Sequence, residues 1–117
     1  MGIGNSVKNI YEVNTVETIS GEVTNIDKVF SDKNMSYGVQ MNLYSSNGQI
    51  LVNLGPSWFV ENQNINIASG DYVNVTGSRI NINGDQVIIA KEVMKEDKVL
   101  MLRDDNGYPF WAVWPNR

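Results

Sequence analysis

The chain contains neither cysteine nor histidine among its 117 residues. Their absence removes the commonest zinc ligands, thiolate nucleophiles, disulfides, covalent haem attachment and the side chain that most often transfers protons near neutral pH. No pair of carboxylates stands out as an acid–base couple either. We therefore expect a protein that is not an enzyme and that holds no cofactor and no metal.

Long apolar runs and an excess of positive charge are also lacking. No stretch approaches the roughly 18 apolar residues that span a bilayer, so we expect a soluble chain without a membrane span. The net charge is −4, and a field of that sign repels polyanions. Nucleic acid is therefore an unfavourable partner, while the cytoplasm and an exported location both stay open.

The first half of the chain is dominated by tight turns and by stretches in which apolar and polar residues alternate, as they do in strands. Residues 16–30 change their apolar phase near Gly21, which predicts a long bent strand with a bulge. Residues 37–44 and 49–54 alternate apolar and polar side chains around the turn Asn47-Gly48, which predicts a hairpin. The side chains expected to face the core are Tyr37, Val39, Met41, Leu43, Ile50, Val52 and Leu54.

The stretch from Leu54 to Val60 predicts how the third strand connects to the fourth. The strand breaks at Gly55-Pro56 and enters a short aromatic helix, in which we expect Trp58 to plug the open end of a small barrel. A new strand follows Gly70-Asp71 and shifts phase at Gly77, which predicts a second bulge. The turn Asn83-Gly84 then leads into a last barrel strand over 85–93.

The order strand, strand, strand, helix, strand, strand is that of an oligonucleotide/oligosaccharide-binding (OB) barrel. With Ile19-Ser20-Gly21-Glu22-Val23 and Gly70-Asp71-Tyr72-Val73-Asn74-Val75-Thr76-Gly77, the chain resembles prokaryotic OB-fold domains, including small bacterial and archaeal OB-fold proteins. The resemblance covers residues 16–95. It implies an all-β fold, a five-stranded Greek-key barrel with a short helix between strands 3 and 4. It implies no function, because this barrel hosts many activities.

Two segments flank the predicted barrel of residues 16–95. Residues 1–15 are expected to form an N-terminal arm or short helix, and residues 96–117 an added C-terminal β-hairpin packed on the barrel. The hairpin turns at Asp104-Asp105-Asn106-Gly107. Either Asn106-Gly107 is a two-residue loop or all four residues form the loop, and both registers place aromatic side chains on two faces.

The surplus aromatic residues of this hairpin are the first candidate site. Only part of the set can face one core, and an exposed apolar patch commonly marks an interaction surface. The principal hypothesis is therefore a non-enzymatic OB-fold module that associates with a protein partner or forms a homodimer. In the competing interpretation, the hairpin lies flat on the barrel and the N-terminal arm covers the rest. The candidate interaction residues are Arg103, Phe110, Trp111 and Trp114.

The face of the second and third strands is the second candidate site. OB barrels bind ligands there, and the side chains on this face are rich in amides, which suit oligosaccharide hydroxyl groups. Single-stranded nucleic acid is the other candidate ligand, although the face offers few rings and cations. The alternative function is therefore a ligand-binding barrel that uses Gln40, Asn42, Tyr44, Asn53 and Arg79.

Overall fold

The computed structural model describes residues 11–32 and 35–113, which form six strands, one short α-helix and two 3₁₀ helices. The strands are β1 (Val16–Ser31), β2 (Ser36–Ser45), β3 (Gly48–Pro56), β4 (Tyr72–Ile82), β5 (Asp85–Lys95) and β6 (Lys98–Met101). The α-helix α1 (Ser57–Val60) lies between β3 and β4, and the 3₁₀ helices cover Val13–Thr15 and Phe110–Val113.

The first five strands close into a ring. Neighbouring strands are antiparallel in the order β3-β2-β1-β4-β5-β6, and β3 also pairs with β5 in parallel. That closing contact is short, because it joins only Leu51, Val52 and Asn53 to Val87, Ile88 and Ile89. The predicted all-β class, with a short helix between the third and fourth strands, is confirmed.

The core inside the ring is formed by the side chains that point inward at alternate positions of each strand. All the predicted inward residues of β2 and β3 are buried except Tyr37, which is 49% exposed. The prediction for Tyr37 is wrong because the β1–β2 hairpin extends beyond the ring. Phe30 pairs with Tyr37 there, whereas the last pair that β2 makes with β3 is Gly38 with Pro56. The most completely buried core side chains are Val23, Met41, Leu43, Val52, Leu54, Val75, Ile88, Val93, Leu100 and Leu102.

Three register shifts allow the strands to bend, and the one between β2 and β3 leaves Leu54 as the extra residue. In β1 the register shifts between Val23 and Asn25, so Thr24 is the extra residue. The predicted second bulge does lie opposite Gly77, but its extra residue is on the neighbouring strand. Thr76 pairs with Glu92 and Gly77 with Ala90, which leaves Lys91 of β5 unpaired in the ladder. Glycine is required at residue 77 because the β5 backbone approaches it closely.

The C-terminal hairpin is much reduced compared with the prediction. Its first arm is β6, which pairs with β5, and its second arm is the 3₁₀ helix Phe110–Val113. A single bridge, Arg103 with Pro109, fits neither predicted register. Pro109 has no N–H to continue a ladder. The Asp104 carboxylate instead accepts hydrogen bonds from the backbone N–H groups of Asn106 and Tyr108, at 2.9 and 3.0 Å.

Two predicted segments extend beyond the described residues. Trp114 lies outside them, as do the first ten residues of the predicted N-terminal arm. The part of that arm that is described begins at Tyr11, which is buried, and continues into the 3₁₀ helix Val13–Thr15. This segment is attached to β4, because the Glu12 N–H donates to the buried Ser78 Oγ at 2.9 Å.

The substitution Gly77→Ala is expected to destabilise the ring strongly. An added Cβ would meet the Ile89 carbonyl oxygen and lie 2.8 Å from Ala90 Cα, and both are backbone atoms that cannot rotate away. We expect a loss of about 2–3 kcal/mol in the free energy of unfolding, measured by urea denaturation. Gly38→Ala is the control, since its nearest neighbour would be 3.8 Å away. Equal stability of the two variants would contradict this account.

The substitution Glu17→Gln is expected to reduce stability at neutral pH but not in acid. Arg79 donates to the Glu17 carboxylate, with Nε to Oε2 at 2.5 Å, and this hydrogen bond lowers the Glu17 pKa. A lowered folded-state pKa stabilises the protein above the unfolded value and is lost as the pH falls through the folded one. Because the pair is partly exposed, we expect about 0.5 kcal/mol at pH 7.

The measurement is thermal unfolding of both proteins across the acid range. The difference should shrink as the pH falls through the lowered folded-state pKa of Glu17 and vanish once the carboxyl group is protonated in both states. Glu22→Gln is the control, because Glu22 lies on the same strand and forms no ion pair with any residue that the structure describes. A difference that persists unchanged into acid would show that Glu17 acts through packing rather than charge.

Candidate functional site: an aromatic groove at the end of strands 2 and 3

A groove of about 550 Å³ opens on the outside of the ring, where the β1–β2 hairpin extends past β3. We call it the aromatic groove, because four rings line it: Phe30, Tyr37, Trp58 and Trp111. Its polar lining includes Gln40, Asn53 and Arg103. The groove therefore joins side chains from β1, β2, β3, α1 and the segment after β6.

Two of the rings project from the extended hairpin. Phe30 and Tyr37 are directly opposite each other in the β1–β2 ladder, and their rings meet edge to face with centroids 5.1 Å apart. The two side chains are 46% and 49% exposed. Since no strand of the ring continues alongside them, the pair stabilises the hairpin while leaving ring surface open to a ligand.

The helix α1 directs one aromatic side chain into the ring of strands and another away from that ring. Phe59 is 4% exposed and closes the end of the core, whereas Trp58 is 42% exposed and lines the groove. The prediction that Trp58 plugs the ring is therefore wrong, and Phe59 does so instead. Consecutive helical residues point about 100° apart. In a helix of a single turn only one of the two rings can enter the core.

Trp111 forms the base of the groove and holds the tail on the ring. Its ring lies 5.4 Å from that of Phe59, and it covers Gly55, at which an added Cβ would be 2.7 Å from Trp111 Cη2. Gly55 also has a φ of +135°, which few residues other than glycine adopt. Trp111 and Phe110 are both partly buried against the core. The C-terminal segment therefore packs on the ring of strands.

Arg103 is a buried cation between two aromatic rings. It is 5% exposed, and its Cζ lies 5.7 Å from the Tyr11 ring centroid and 5.1 Å from that of Trp111. Nη1 donates to the Gly107 carbonyl at 3.0 Å, while Nε is buried without an acceptor. No carboxylate among the described residues lies within ion-pair distance of it. Burial lowers the Arg103 pKa to about 10.

Tyr11 covers the other side of Arg103 and a second cluster outside the ring. With Val87 and Ile89 it forms a small buried apolar cluster on the outer face. An added Cβ at Gly107 would lie 2.8 Å from Tyr11 Cγ, so glycine is required there. Burial raises the Tyr11 pKa, and its hydroxyl group is buried without a hydrogen-bond partner. The sequence analysis placed Tyr11 only within the N-terminal arm of residues 1–15 and did not predict this contact.

The structure divides the predicted ligand-binding residues into two groups. Gln40 and Asn53 are opposite each other in the β2–β3 ladder, and both line the aromatic groove. Asn42 instead donates a hydrogen bond to Asn25 Oδ1 at 2.7 Å, and Tyr44 is exposed outside the groove. Arg79 is on β4 and pairs with Glu17. Of the predicted interaction residues, Arg103 and Trp111 line the groove, and Phe110 does not.

Sequence reasoning missed Phe30, Tyr37 and Trp58 as parts of one site. One signal could have revealed the first two, namely the length of β1. It has 16 residues and β3 only nine, so a small ring cannot use all of β1 and its end must project with the start of β2. No comparable signal distinguishes Trp58 from Phe59, because both are large aromatic side chains in the same helical turn.

Two other features bear on the function of the described part of the chain. Across residues 11–32 and 35–113, no three acidic side chains come together in a way that could hold a metal ion. No helix in this part of the chain is long and apolar enough to cross a membrane. What the groove presents is stacking surface, two amides and one guanidinium, and these are groups that recognise a ligand.

Because Phe59 and Trp58 have different roles, their alanine variants are expected to lose different amounts of stability. Phe59→Ala should cost about 3–5 kcal/mol in unfolding free energy, because it leaves a cavity at the end of the core. Trp58→Ala should cost less, about 1–2 kcal/mol, since 42% of its surface is already exposed. Urea denaturation of both variants measures this. A larger loss for Trp58→Ala than for Phe59→Ala would show that Trp58 closes the end of the core.

Comparison with known proteins places the chain in a family. The search of curated proteins returned no match. A family model matches residues 15–100, about three quarters of the chain, and that match covers all five strands of the ring and most of β6. The chain belongs to the MamS/MamX magnetosome protein family.

Proposed function

We propose that this chain is a non-enzymatic binding module whose ring is an OB-type barrel and whose aromatic groove associates with another protein of the magnetosome. The family match supports the setting, since its description names the magnetosome. The closed order of five strands, with a helix between the third and fourth, supports the barrel type. The partner binds where the extended β1–β2 hairpin and the C-terminal segment meet.

The observation that carries this proposal is the set of exposed rings in one concave surface. Phe30, Tyr37 and Trp58 each leave between 42% and 49% of their surface open, and Trp111 lies at the base. Aromatic side chains bury roughly 150–250 Å² when fully covered, so covering the open half of one ring contributes about 2 kcal/mol. Aromatic anchors in a pocket are typical of the residues that dominate protein–protein binding energy.

The polar lining favours recognition over catalysis. Among the residues that line the groove in the described part of the chain, none is an aspartate or a glutamate, and the chain has no histidine or cysteine. A general acid or base would therefore have to come from tyrosine or a nearly permanent cation. A protein segment, by contrast, can bind its apolar side chains to the rings and its backbone amides to Gln40 and Asn53.

An oligosaccharide is the second candidate ligand, and one observation favours it. Gln40 and Asn53 place two amides beside exposed rings, and sugars present hydroxyl groups next to apolar C–H faces. Single-stranded nucleic acid is less favoured, because the net charge is −4 and the groove contains one cation, Arg103. Titration with glycan panels and single-stranded DNA and RNA at low salt tests both ligands.

The protein-binding function is tested by selection from displayed random peptides on the full chain. A selected peptide is then titrated by calorimetry against Tyr37→Ala and Trp58→Ala. We expect each variant to raise the Kd by about tenfold or more, because each removes an anchor ring. Tyr72→Ala is the matched control, since Tyr72 is 68% exposed and lies outside the groove.

Three results would contradict this function. Selection could enrich no peptide, or the enriched peptides could bind all three variants as tightly as the original chain. The glycan or single-strand panels could instead bind with affinities that depend on Tyr37 and Trp58, which would assign the groove to that ligand class. Circular dichroism of each variant ensures that loss of binding is not loss of folding.

A further inference from the structure

Arg103 forms no ion pair with any residue in the described part of the chain. Burying a charge is unfavourable unless the charge is paired. The rings of Tyr11 and Trp111 offset part of that cost through cation–π contacts. One backbone carbonyl, that of Gly107, accepts from Nη1. A guanidinium has five N–H donors, so this environment leaves it under-satisfied.

Some donors of this guanidinium have no acceptor in the described part of the chain. Nε is fully buried and without an acceptor, and Arg103 itself lines the aromatic groove beside Gln40 and Asn53. The two flanking rings and the contact with Gly107 hold the side chain in place. A preorganised arginine with free donors matches a carboxylate, because charge-assisted hydrogen bonds between the two groups are strong.

The rest of the groove restricts which anion can bind. Arg103 is the one charged residue among those described as lining it. A single cation can balance one negative charge, but it cannot balance the several negative charges of a phosphate chain. The exposed rings of Tyr37 and Trp58 lie in the same concavity and suit an apolar group attached to that anion.

We infer that the base of the aromatic groove is a carboxylate-binding site formed by Arg103, so that the protein segment bound there presents a carboxylate next to an aromatic or aliphatic side chain. This inference rests on the proposed function, because it specifies the chemistry of the segment that the groove binds. The carboxylate pairs with the guanidinium, the adjoining side chain packs on the rings, and the two amides hold the backbone of the segment.

A matched pair of small probes tests the site on the unaltered chain. N-acetyl-L-phenylalanine carries a carboxylate, and N-acetyl-L-phenylalaninamide has the same ring without the charge. Heteronuclear NMR follows the Nε–Hε signal of Arg103 and the indole signals of Trp58 and Trp111. We expect the carboxylate probe to shift all three signals and to bind at least about tenfold more tightly, since hydrogen bonds between charged groups are stronger than neutral ones.

Two outcomes with these probes would overturn the inference. Equal affinity of the two probes would show that the rings bind without help from the guanidinium. A carboxylate probe that leaves the Arg103 Nε–Hε signal unmoved would place the anion elsewhere. Inorganic phosphate is titrated alongside, and tighter binding of phosphate than of the carboxylate probe would assign the site to phosphate groups.

Variants provide a second, independent measurement. Arg103→Met retains much of the apolar stem and removes the charge, and it should abolish the tenfold preference for the carboxylate probe while the amide probe binds as before. Arg79→Met is the matched control, because Arg79 lies outside the groove and pairs with Glu17. Should Arg103→Met fail to fold, the NMR titration of the unaltered chain still decides the question.

The peptides selected under the proposed function separate the two hypotheses. Replacing an aspartate or glutamate of a selected peptide by its amide should raise the Kd at least about tenfold. If the Kd is unchanged while Tyr37→Ala and Trp58→Ala still weaken binding, the carboxylate site is wrong and the protein-binding function stands. If no peptide depends on those rings, the proposed function itself fails.

Discussion

The short parallel contact between β3 and β5 is the constraint on which the rest of the molecule depends. Three residues on each strand close five strands into a ring, and without them the sheet would be an open ladder with two edges. Closure buries Val52 and Ile88 inside the ring and places Leu51, Val87 and Ile89 on its outside, where Tyr11 covers them. The bulge at Lys91 accompanies this arrangement, because β5 leaves β3 and turns toward β6 at that point.

The aromatic groove exists because the β1–β2 hairpin continues beyond the end of β3. The β1–β2 hairpin is longer than β3, so Phe30 and Tyr37 project beyond it, and α1 adds Trp58 beside them. The C-terminal segment then completes the concavity with Arg103 and Trp111. The three projecting rings lie within the region that matches the family model, and the guanidinium and the basal ring follow it. The stacking surface and the charge of the proposed site thus come from different parts of the chain.

Local patterns in the sequence predicted most of the ring correctly. Apolar alternation from Val39 to Leu43 and the Asn83-Gly84 turn involve residues close in the chain, and the structure contains both features. Tyr37 continues the same alternation and was expected in the core, yet it is exposed, because alternation does not show where a neighbouring strand ends. The predicted C-terminal hairpin was also only partly correct, because side chains in its turn decide its geometry. Pro109 and the Asp104 carboxylate favour a compact turn over a second strand.

The sequence alone determined the class of fold, the order of its elements and the absence of thiol and imidazole chemistry, because these depend on composition and on short-range periodicity. Only the tertiary structure decided which ring closes the core and which residues share a site. Phe59 and Trp58 are chemically alike, and the direction of one helical turn assigns their roles. Likewise Arg103, Gln40 and Asn53 are brought together by strand pairing and by the packing of Trp111 on Gly55. Such contacts join residues far apart in the chain, and no local pattern encodes them.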